Sequence, residues 1–213
     1  MSLVFQNFAV HLHGNRLVRL HRAIAPGDVL SVMGPSGVGK SALLFAITGL
    51  LRLPFQATGR VILFDRDITA LAPEARHIGL MVQDALLFPH MSVIGNVLFA
   101  LPRTAARGRA ARRDVALKHL ARVNLADLAD RDPATLSGGQ RSRVALARTL
   151  AANPRALLLD EPFSALDQDL RAQIRDMVFT LAREDGLPVV LVSHDPADAE
   201  AAGGPIVHIA PLP

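Results

Sequence analysis

The stretch Gly34-Pro35-Ser36-Gly37-Val38-Gly39-Lys40-Ser41 decides the fold of this chain. It follows a short apolar run, Val29–Met33, and opens into helix-forming sequence at 42–51. A strand, a glycine-rich turn and a helix in this order are typical of a loop that binds phosphate groups. The glycines let successive backbone N–H groups point inward, and the helix adds the positive end of its dipole. The predicted nucleotide-binding residues here are Gly34, Pro35, Ser36, Gly37, Val38, Gly39, Lys40, Ser41 and Ala42.

Two side chains of this loop have specific expected tasks. Lys40 is placed to reach the β- and γ-phosphates, and the Ser41 hydroxyl is placed to ligate Mg²⁺. A glycine-rich turn that merely caps a helix is the alternative interpretation. Because every fixed position of the motif is filled, with an apolar run before it and a helix after it, the pattern favours binding of a nucleoside triphosphate.

The bulk properties limit the class of protein. With 213 residues the chain is long enough for one large domain or two small lobes. It contains no cysteine, so neither a disulfide framework nor a thiolate zinc site is expected. No apolar run reaches the roughly 18 residues of a membrane span, and residues 1–7 lack the form of a signal peptide. These features predict a cytoplasmic protein.

The basic residues are mostly arginine and cluster at one place. The net charge is +4, and five arginines alternate with alanine and glycine in Arg103–Arg113. This cluster could form a nucleic-acid patch, or it could be a solvated loop that leads into a helix. Binding of single strands would favour interleaved aromatic residues. Since the cluster has none, the second interpretation is preferred and no nucleic-acid partner is expected.

The periodicity of apolar residues predicts a β-rich start, a helical middle and an α/β end. Residues 3–12 and 16–24 alternate as half-buried antiparallel strands do, and Pro26-Gly27-Asp28 predicts a turn. Further strands are predicted at 29–33, 59–65, 78–82, 156–159, 188–192 and 206–209. Helices are predicted at 92–101, 110–123, 138–152 and 168–183.

This order predicts an α/β architecture, a phosphate-binding core interrupted by a helical lobe. The expected divisions are 1–83 for the antiparallel strands and the phosphate-loop core, 84–153 for the helical lobe, and 154–213 for the remainder of the core. All three parts are expected to form a single domain.

Two carboxylates end the apolar strand 156–159. In open parallel sheets, ligands bind at the carboxyl ends of the strands, so Asp160 and Glu161 are expected to point toward the phosphate loop. Asp160 can hold Mg²⁺ opposite Ser41, and Glu161 can orient and deprotonate an attacking water. An Asp-Glu pair is more often surface charge, but its position after a buried strand favours a site.

A second glycine-bearing turn, Leu136-Ser137-Gly138-Gly139-Gln140, also opens a helix. Placed between a phosphate loop and an Asp-Glu strand, it resembles the signature of ATP-binding-cassette ATPases. The rest of that family's motifs follow in order, with Gln83 matching the glutamine loop, 164–167 the D-loop and His194 the switch histidine. A lone histidine at a strand end is more often structural, but Ser193-His194-Asp195 directly follows an apolar strand, at the sheet edge where ligands bind.

The resemblance implies a P-loop NTPase core with a mostly parallel sheet, an N-terminal antiparallel β-subdomain and an inserted helical subdomain. It also implies that two copies pack head to tail around two ATP molecules. One copy would then present Lys40, Ser41, Gln83, Asp160, Glu161 and His194. The other would present its signature, Ser137, Gly138, Gly139 and Gln140, together with Asp167 of its D-loop. In this arrangement Gln83 senses Mg²⁺ and water, and His194 contacts the γ-phosphate.

Two positions depart from the family's pattern. Ala42 stands where the family usually has a threonine hydroxyl near the α-phosphate, so one hydrogen bond of ~1 kcal/mol is expected to be missing. The family also stacks adenine on an aromatic residue some two dozen positions before the phosphate loop. Counting back reaches His11, which is the candidate for adenine stacking.

The segment 84–93 resembles ATPases of bacterial importers for anions, polyamines and thiamine. It therefore implies partner permease subunits, a solute-binding protein and a location at the inner face of the cell membrane. Leu86, Leu87, Phe88, Pro89 and Met91 are too densely apolar for an amphipathic helix, so part of them is expected to form an exposed docking patch anchored by Phe88. The alternative interpretation is that these residues, Leu86 in particular, pack in the lobe's own core.

The alternative class is a cassette ATPase that acts on nucleic acid or ribosomes. Such proteins carry coiled-coil insertions, zinc cysteines or two cassettes in one chain, and this sequence shows none of these. Small-molecule kinases share the phosphate loop but lack the signature and switch residues.

Overall fold

The computed structural model describes residues 2–35, 37–164 and 166–209, so Ser36 and Ala165 of the predicted motifs lie outside the described residues. Within those ranges the chain forms nine strands, β1 Leu3–Leu12, β2 Asn15–Ile24, β3 Val29–Met33, β4 Phe55–Leu63, β5 Arg66–Asp67, β6 Ile78–Met81, β7 Ala156–Asp160, β8 Val189–Ser193 and β9 Ile206–His208. The same ranges contain six α-helices, α1 Lys40–Thr48, α2 Val93–Ala100, α3 Arg109–Arg122, α4 Gly138–Ala151, α5 Gln168–Glu184 and α6 Pro196–Ala202. Short 3₁₀ turns lie at Pro73–Ala75, Ala126–Leu128 and Pro133–Thr135.

The chain folds as two compact units. The first comprises Met1–Leu80, Arg155–Glu161 and Phe179–Pro213. The second comprises Met81–Pro154 and Pro162–Val178. The predicted helical lobe, 84–153, lies wholly within the second unit, which also takes in 162–178.

The first unit contains an antiparallel sheet with the strand order β2-β1-β4-β5. β1 pairs with both neighbours, so that Val10 lies opposite Val18 on one side and Ala57 on the other. The prediction of antiparallel strands at the start of the chain is therefore confirmed. β4 starts at Phe55 rather than at the predicted Gly59. The sequence did not reveal this start because 56–60 are exposed and carry no apolar alternation that could indicate a strand.

The second sheet of this unit has the order β6-β7-β8-β3-β9. β3 pairs in parallel with β8 and β9, and β7 pairs in parallel with β8. Every residue of β3 and β8 is buried, as expected of central parallel strands. β9 differs, since it is a three-residue edge strand that ends at His208 and has exposed side chains.

The register of the parallel strands brings their carboxyl ends to one edge. Met33 at the end of β3 lies opposite Ser193 at the end of β8. Asp160 at the end of β7 lies opposite Val192. The residues that follow these strands, Gly34, Glu161 and His194, are thereby neighbours at the edge where open α/β sheets bind their ligands.

The helix α1 is fixed between the two sheets. It packs against β1, β4 and β7, and Leu43, Leu44 and Ile47 on it are fully buried. At its C-terminal end the buried guanidinium of Arg76 donates to the carbonyls of Ala46 and Ile47 at 3.1 and 2.8 Å. Burial lowers the pKa of Arg76 below its ordinary value. Because α1 is buried between the sheets and held at its C-terminal end, it offers a rigid base for the phosphate loop before it.

The second unit is built from helices. α4 packs against α2 and α3. Ser92 caps α2 by accepting from Gly95 N at 3.2 Å. Asn96 is fully buried. Its Oδ1 accepts from Phe88 N at 2.8 Å, and its Nδ2 donates to the Phe88 carbonyl at 3.2 Å.

Two arginines of the cluster at 103–113 contact other residues of this unit. The Arg112 guanidinium donates to the carbonyls of Leu98, Leu101 and Pro102, which close the C-terminal end of α2. Arg113 forms an exposed ion pair with Asp130 at 2.7 Å. Since these side chains are engaged within the unit, the structure agrees with the preferred interpretation of a loop leading into a helix.

Helix α6 was not predicted from the sequence. Asp195 caps it by accepting from Ala197 N at 2.9 Å, Pro196 occupies its first turn, and Gly203 ends it in the left-handed conformation. These are ordinary helix start and stop signals. The helix has only seven residues, too few to show a helical apolar period. No helix in the described part of the chain is both long and apolar enough to cross a membrane.

Candidate nucleotide-binding site

The phosphate loop leaves the centre of the parallel sheet and turns sharply into α1. Gly39 is the N-cap of α1 and has φ of 96°, a left-handed conformation that favours glycine. A Cβ on Gly39 would also lie 2.7 Å from the Leu17 side chain, and one on Gly34 would lie 2.7 Å from the Ile209 carbonyl. Gly39 is therefore favoured by the backbone conformation of the turn, and Gly34 by the close approach of the Ile209 backbone.

The side chain of Lys40 is anchored within the loop by hydrogen bonds. Its side chain is 5% exposed, and its ammonium donates to the carbonyls of Gly34 at 2.8 Å and Pro35 at 2.9 Å. The same nitrogen lies 3.2 Å from Glu161 Oε1. The ammonium is thus held inside the curve of the loop and faces the first carboxylate beyond β7.

Asp160 and Glu161 follow each other but have different surroundings. The Ser41 hydroxyl lies close enough to Asp160 to lower the pKa of that carboxyl. Burial raises the pKa of Asp160 above its ordinary value and the Glu161 charge adds to the rise, whereas the Ser41 hydrogen bond and the Lys40 charge oppose it. Glu161 has φ of 46°, so the chain turns sharply at this residue. Its N–H donates to the Val192 carbonyl at 2.9 Å, which ties the turn to β8.

His194 completes this group. Its Nδ1 lies 2.8 Å from Glu161 Oε2, and its side chain is 52% exposed. A carboxylate can only accept, so Nδ1 is the nitrogen that carries the proton in this bond. The structure therefore joins Lys40, Glu161 and His194 in one continuous polar chain, although these residues come from three separate motifs of the sequence.

The signature turn lies in the second unit. Ser137 and Gln140 form a capping box at the start of α4, with distances of 2.9 and 3.2 Å. Ser137 and Gly138 are exposed, whereas Gly139 is buried against the side chain of Leu170, which leaves no room for a Cβ. The exposed N-terminus of a 14-residue helix presents a positive dipole end.

The remaining predicted site residues are placed as follows. Asp167 belongs to the second unit, where its Oδ1 accepts from Leu170 N at 3.0 Å and caps the start of α5. Gln83 is exposed, two residues beyond the end of β6. His11 is half-buried near the end of β1. Ala42 is buried in the apolar core of the first unit, and Val38 packs against that core. The roles of these residues stay predictions.

Leu17 was missed by the sequence analysis. It lies on β2, in the antiparallel sheet, and its Cδ1 packs against the backbone of Gly39. An apolar residue in a half-buried strand carries no signal that it will contact a loop more than twenty positions away. Only the packing of the antiparallel sheet against the phosphate loop reveals this contact.

Comparison with known proteins agrees with this geometry. A family model described as "ABC transporter" matches residues 17–164, well over half of the chain. The chain belongs to the ABC transporter family. It is 46% identical over 200 residues to the uncharacterized ABC transporter ATP-binding protein YnjD of Escherichia coli. The aligned residues cover 93% of this chain and 91% of YnjD.

Other ABC proteins show a similar likeness over part of their length. The putative 2-aminoethylphosphonate import ATP-binding protein PhnT of Salmonella paratyphi A is 40% identical over 200 residues, which cover 93% of this chain. The molybdenum import ATP-binding protein ModC of Mycobacterium tuberculosis is 44% identical over 194 residues, which cover 86% of this chain. The chain spans 53% of PhnT and 52% of ModC, about half the length of these relatives.

Among solved structures, the dimeric ATP-binding cassette MJ0796, bound to ADP and Pi after hydrolysis, matches with a TM-score of 0.78 and 32% identity. The match covers 98% of this chain and 94% of MJ0796. The predicted family, the α/β cassette fold and the assignment to ATP-hydrolysing subunits of ABC transporters are confirmed.

Proposed function

We propose that this ABC protein binds MgATP at the carboxyl edge of its parallel sheet, hydrolyses it as a head-to-tail dimer and powers import through a membrane permease. The observation that carries the proposal is the polar chain Lys40–Glu161–His194. Its two links measure 3.2 and 2.8 Å and lie next to the phosphate loop.

The residues beside the loop fit a magnesium ion. Mg²⁺ in nucleotide sites is bound by one or two protein oxygens together with phosphate oxygens. The Ser41 hydroxyl acts on the pKa of the Asp160 carboxylate, so two suitable oxygens lie near each other. Gln83 is the further proposed ligand. The ion would neutralise charge on the phosphates.

The protein side chains then divide the chemistry between them. Lys40 binds the β- and γ-phosphate oxygens. Glu161 accepts the proton of the water that attacks the γ-phosphorus, and ADP leaves as the bond to its β-phosphate oxygen breaks. His194, held by Glu161, contacts the γ-phosphate. His11 is the proposed adenine contact, and Ala42 contributes no hydroxyl to the α-phosphate.

A second copy of the chain would complete each site. The exposed Ser137 and Gly138 at the start of α4 offer N–H groups and a positive dipole end to an anion. This field would act on the γ-phosphate of the partner's ATP, with Gly139, Gln140 and Asp167 supporting it. The dimeric state of MJ0796 with ADP and Pi supports this arrangement.

An apolar surface on the second unit is the proposed permease contact. Leu86 is 66% exposed and Phe99 is 65% exposed, and the half-buried Phe88 ring packs edge-on against Phe99 at 4.7 Å. For Leu86 the alternative interpretation, packing in the lobe's own core, is therefore excluded. Arg148 Nη1 donates to the Leu86 carbonyl at 2.7 Å, and the φ of Leu86 is 43°. The backbone therefore turns the Leu86 side chain outward.

The printed names of PhnT and ModC as import ATP-binding proteins support the direction of transport. An importer of this kind would work at the inner face of the cell membrane with a solute-binding protein. No observation favours the alternative of a nucleic-acid or ribosome ATPase, since Arg112 and Arg113 are engaged within the second unit.

Two substitutions test the proposed chemistry by separating binding from hydrolysis. Glu161→Gln keeps the shape but removes the base, so we expect the rate of hydrolysis to fall ~10²–10⁴-fold while ATP stays bound. Lys40→Ala should instead lose ATP binding. Nucleotide affinity, phosphate release and the fraction of ATP-bound dimer are the measurements. Hydrolysis by Glu161→Gln at the parental rate would remove Glu161 from the mechanism.

A further inference from the structure

A buried polar pair lies directly behind the switch histidine. Ser193, the last residue of β8, is 2% exposed, and Asp198, in the first turn of α6, is 3% exposed. The Ser193 hydroxyl donates to Asp198 Oδ2 at 2.8 Å. The proposed hydrolysis uses neither residue, yet a buried carboxylate is unfavourable unless its oxygens are hydrogen-bonded.

The same hydroxyl also organises the turn that carries His194. Ser193 Oγ accepts from Asp195 N at 3.0 Å while it donates to Asp198. His194 lies between the two residues joined by this hydrogen bond. Asp195 in turn accepts from Ala197 N at 2.9 Å through its side chain, and its carbonyl accepts from Asp198 N at 3.1 Å. The backbone on both sides of His194 is thereby fixed to β8 and to α6.

This fixation matters because the His194 ring is itself half-exposed. Its side chain is 52% exposed, so packing restrains it less than a buried ring, yet its Nδ1 lies 2.8 Å from Glu161 Oε2. A hydrogen bond of this length from an exposed ring requires a well-defined backbone behind it. Small displacements of groups that act on a reacting centre cost large factors in rate.

We propose that Ser193 and Asp198 are positioning residues that hold His194 in hydrogen-bond distance of Glu161. The inference rests on the proposed roles of His194 and Glu161 in ATP hydrolysis. The simpler alternative is that Asp198 only stabilises the start of α6, where a negative charge is favourable. The two ideas differ in whether the pair acts through His194.

A double-mutant cycle on the full chain tests the proposal. We expect Ser193→Ala to lower kcat about 10- to 100-fold with little change in the KM for ATP. In a His194→Ala background, the same Ser193→Ala change should have almost no further effect, because there is no imidazole left to position. Single-turnover assays with labelled ATP measure the slow hydrolysis expected of the variants that carry His194→Ala.

Ser31 provides a matched control. It is fully buried on β3, next to β8 in the sheet, and among the described residues its hydroxyl has no hydrogen-bond partner. Ser31→Ala therefore removes the same atom from a similar environment and should leave kcat unchanged. Ser193→Thr keeps the hydroxyl and should restore most of the rate lost in Ser193→Ala.

Several outcomes would overturn the inference. If Ser193→Ala lowers kcat by the same factor with and without His194, the role of Ser193 is purely structural. If the kcat of Ser193→Ala equals the parental kcat, Ser193 has no role in hydrolysis. If Ser193→Ala does not fold, the comparison moves to Asp198. Asp198→Asn can still accept the serine hydrogen bond and should exceed Asp198→Ala in kcat, whereas equal rates would contradict the proposal. A parental kcat in His194→Ala would instead overturn the proposed role of His194, and the inference with it.

Discussion

At the scale of single residues, Gly39 combines two demands on one position. Its φ of 96° is unfavourable for any residue with a Cβ, and Leu17 Cδ1 occupies the place where that Cβ would lie. Gly37 has a similar φ of 82° but has open space around it. Substitutions at these two glycines therefore distinguish the cost of backbone strain from the cost of steric contact.

We expect Gly39→Ala to weaken ATP binding more than Gly37→Ala. Both changes cost roughly 1–2 kcal/mol of left-handed backbone strain, but only Gly39→Ala must also displace Leu17. Adding Leu17→Ala to Gly39→Ala should recover the steric part and leave the strain. Titration of labelled ATP and urea unfolding measure the two effects. Equal losses in both glycine variants would show that Leu17 moves aside freely.

At the scale of an element, the segment 85–91 gains its shape from its neighbours and not from a regular structure of its own. The Arg148 guanidinium, on α4, donates to the carbonyls of Ala85 at 2.9 Å and Leu86 at 2.7 Å and lies 5.6 Å from the Phe88 ring centroid. Burial lowers the pKa of Arg148 below its ordinary value. The helix that starts with the signature thus also supports the proposed permease surface.

We expect Leu86→Asp to abolish co-purification with the permease while ATP binding by the isolated subunit persists. The side chain is exposed, and aspartate tolerates the left-handed backbone better than leucine, so the fold should survive. Phe88→Asp should also lose the permease, but it removes ring packing against Phe99 and Arg148 and is expected to destabilise the unit.

Ile206→Asp is the control for this experiment, because Ile206 is an exposed apolar residue on the edge strand β9 of the first unit. It should retain the permease. Full co-purification of the Leu86→Asp variant would place the docking surface elsewhere.

At the scale of the whole molecule, the proposed site needs two copies of the chain. Ser137→Arg and Lys40→Ala should each be inactive alone, since each spoils both sites of a homodimer. Mixed together they can form a heterodimer with one intact site, made from Lys40 of one copy and Ser137 of the other. We therefore expect partial recovery of hydrolysis on mixing, measured as phosphate release.

The double variant Lys40→Ala/Ser137→Arg, mixed with the Ser137→Arg variant, is the control. No combination of these chains contains an intact site, so no recovery is expected. Hydrolysis by a strict monomer at the rate of the assembled protein would contradict the composite site.

The sequence by itself determined the family, the fold class and the motifs of the nucleotide site. This was possible because those motifs are local. A turn such as 34–41 needs glycines where the chain bends, and the carboxyl ends of buried strands are marked by the first polar residue after an apolar run, as at Asp160 and Ser193. Antiparallel strands at 3–24 were readable from alternation alone.

Only the tertiary structure decided which of these groups meet and which surfaces stay exposed. Glu161 lies 2.8 Å from His194 across 33 positions of sequence, through a register that no local pattern encodes. The contact of Leu17 with Gly39 and the outward turn of Leu86 are of the same kind. They depend on how separate elements pack, and one-dimensional periodicity describes only the face of each element that is buried.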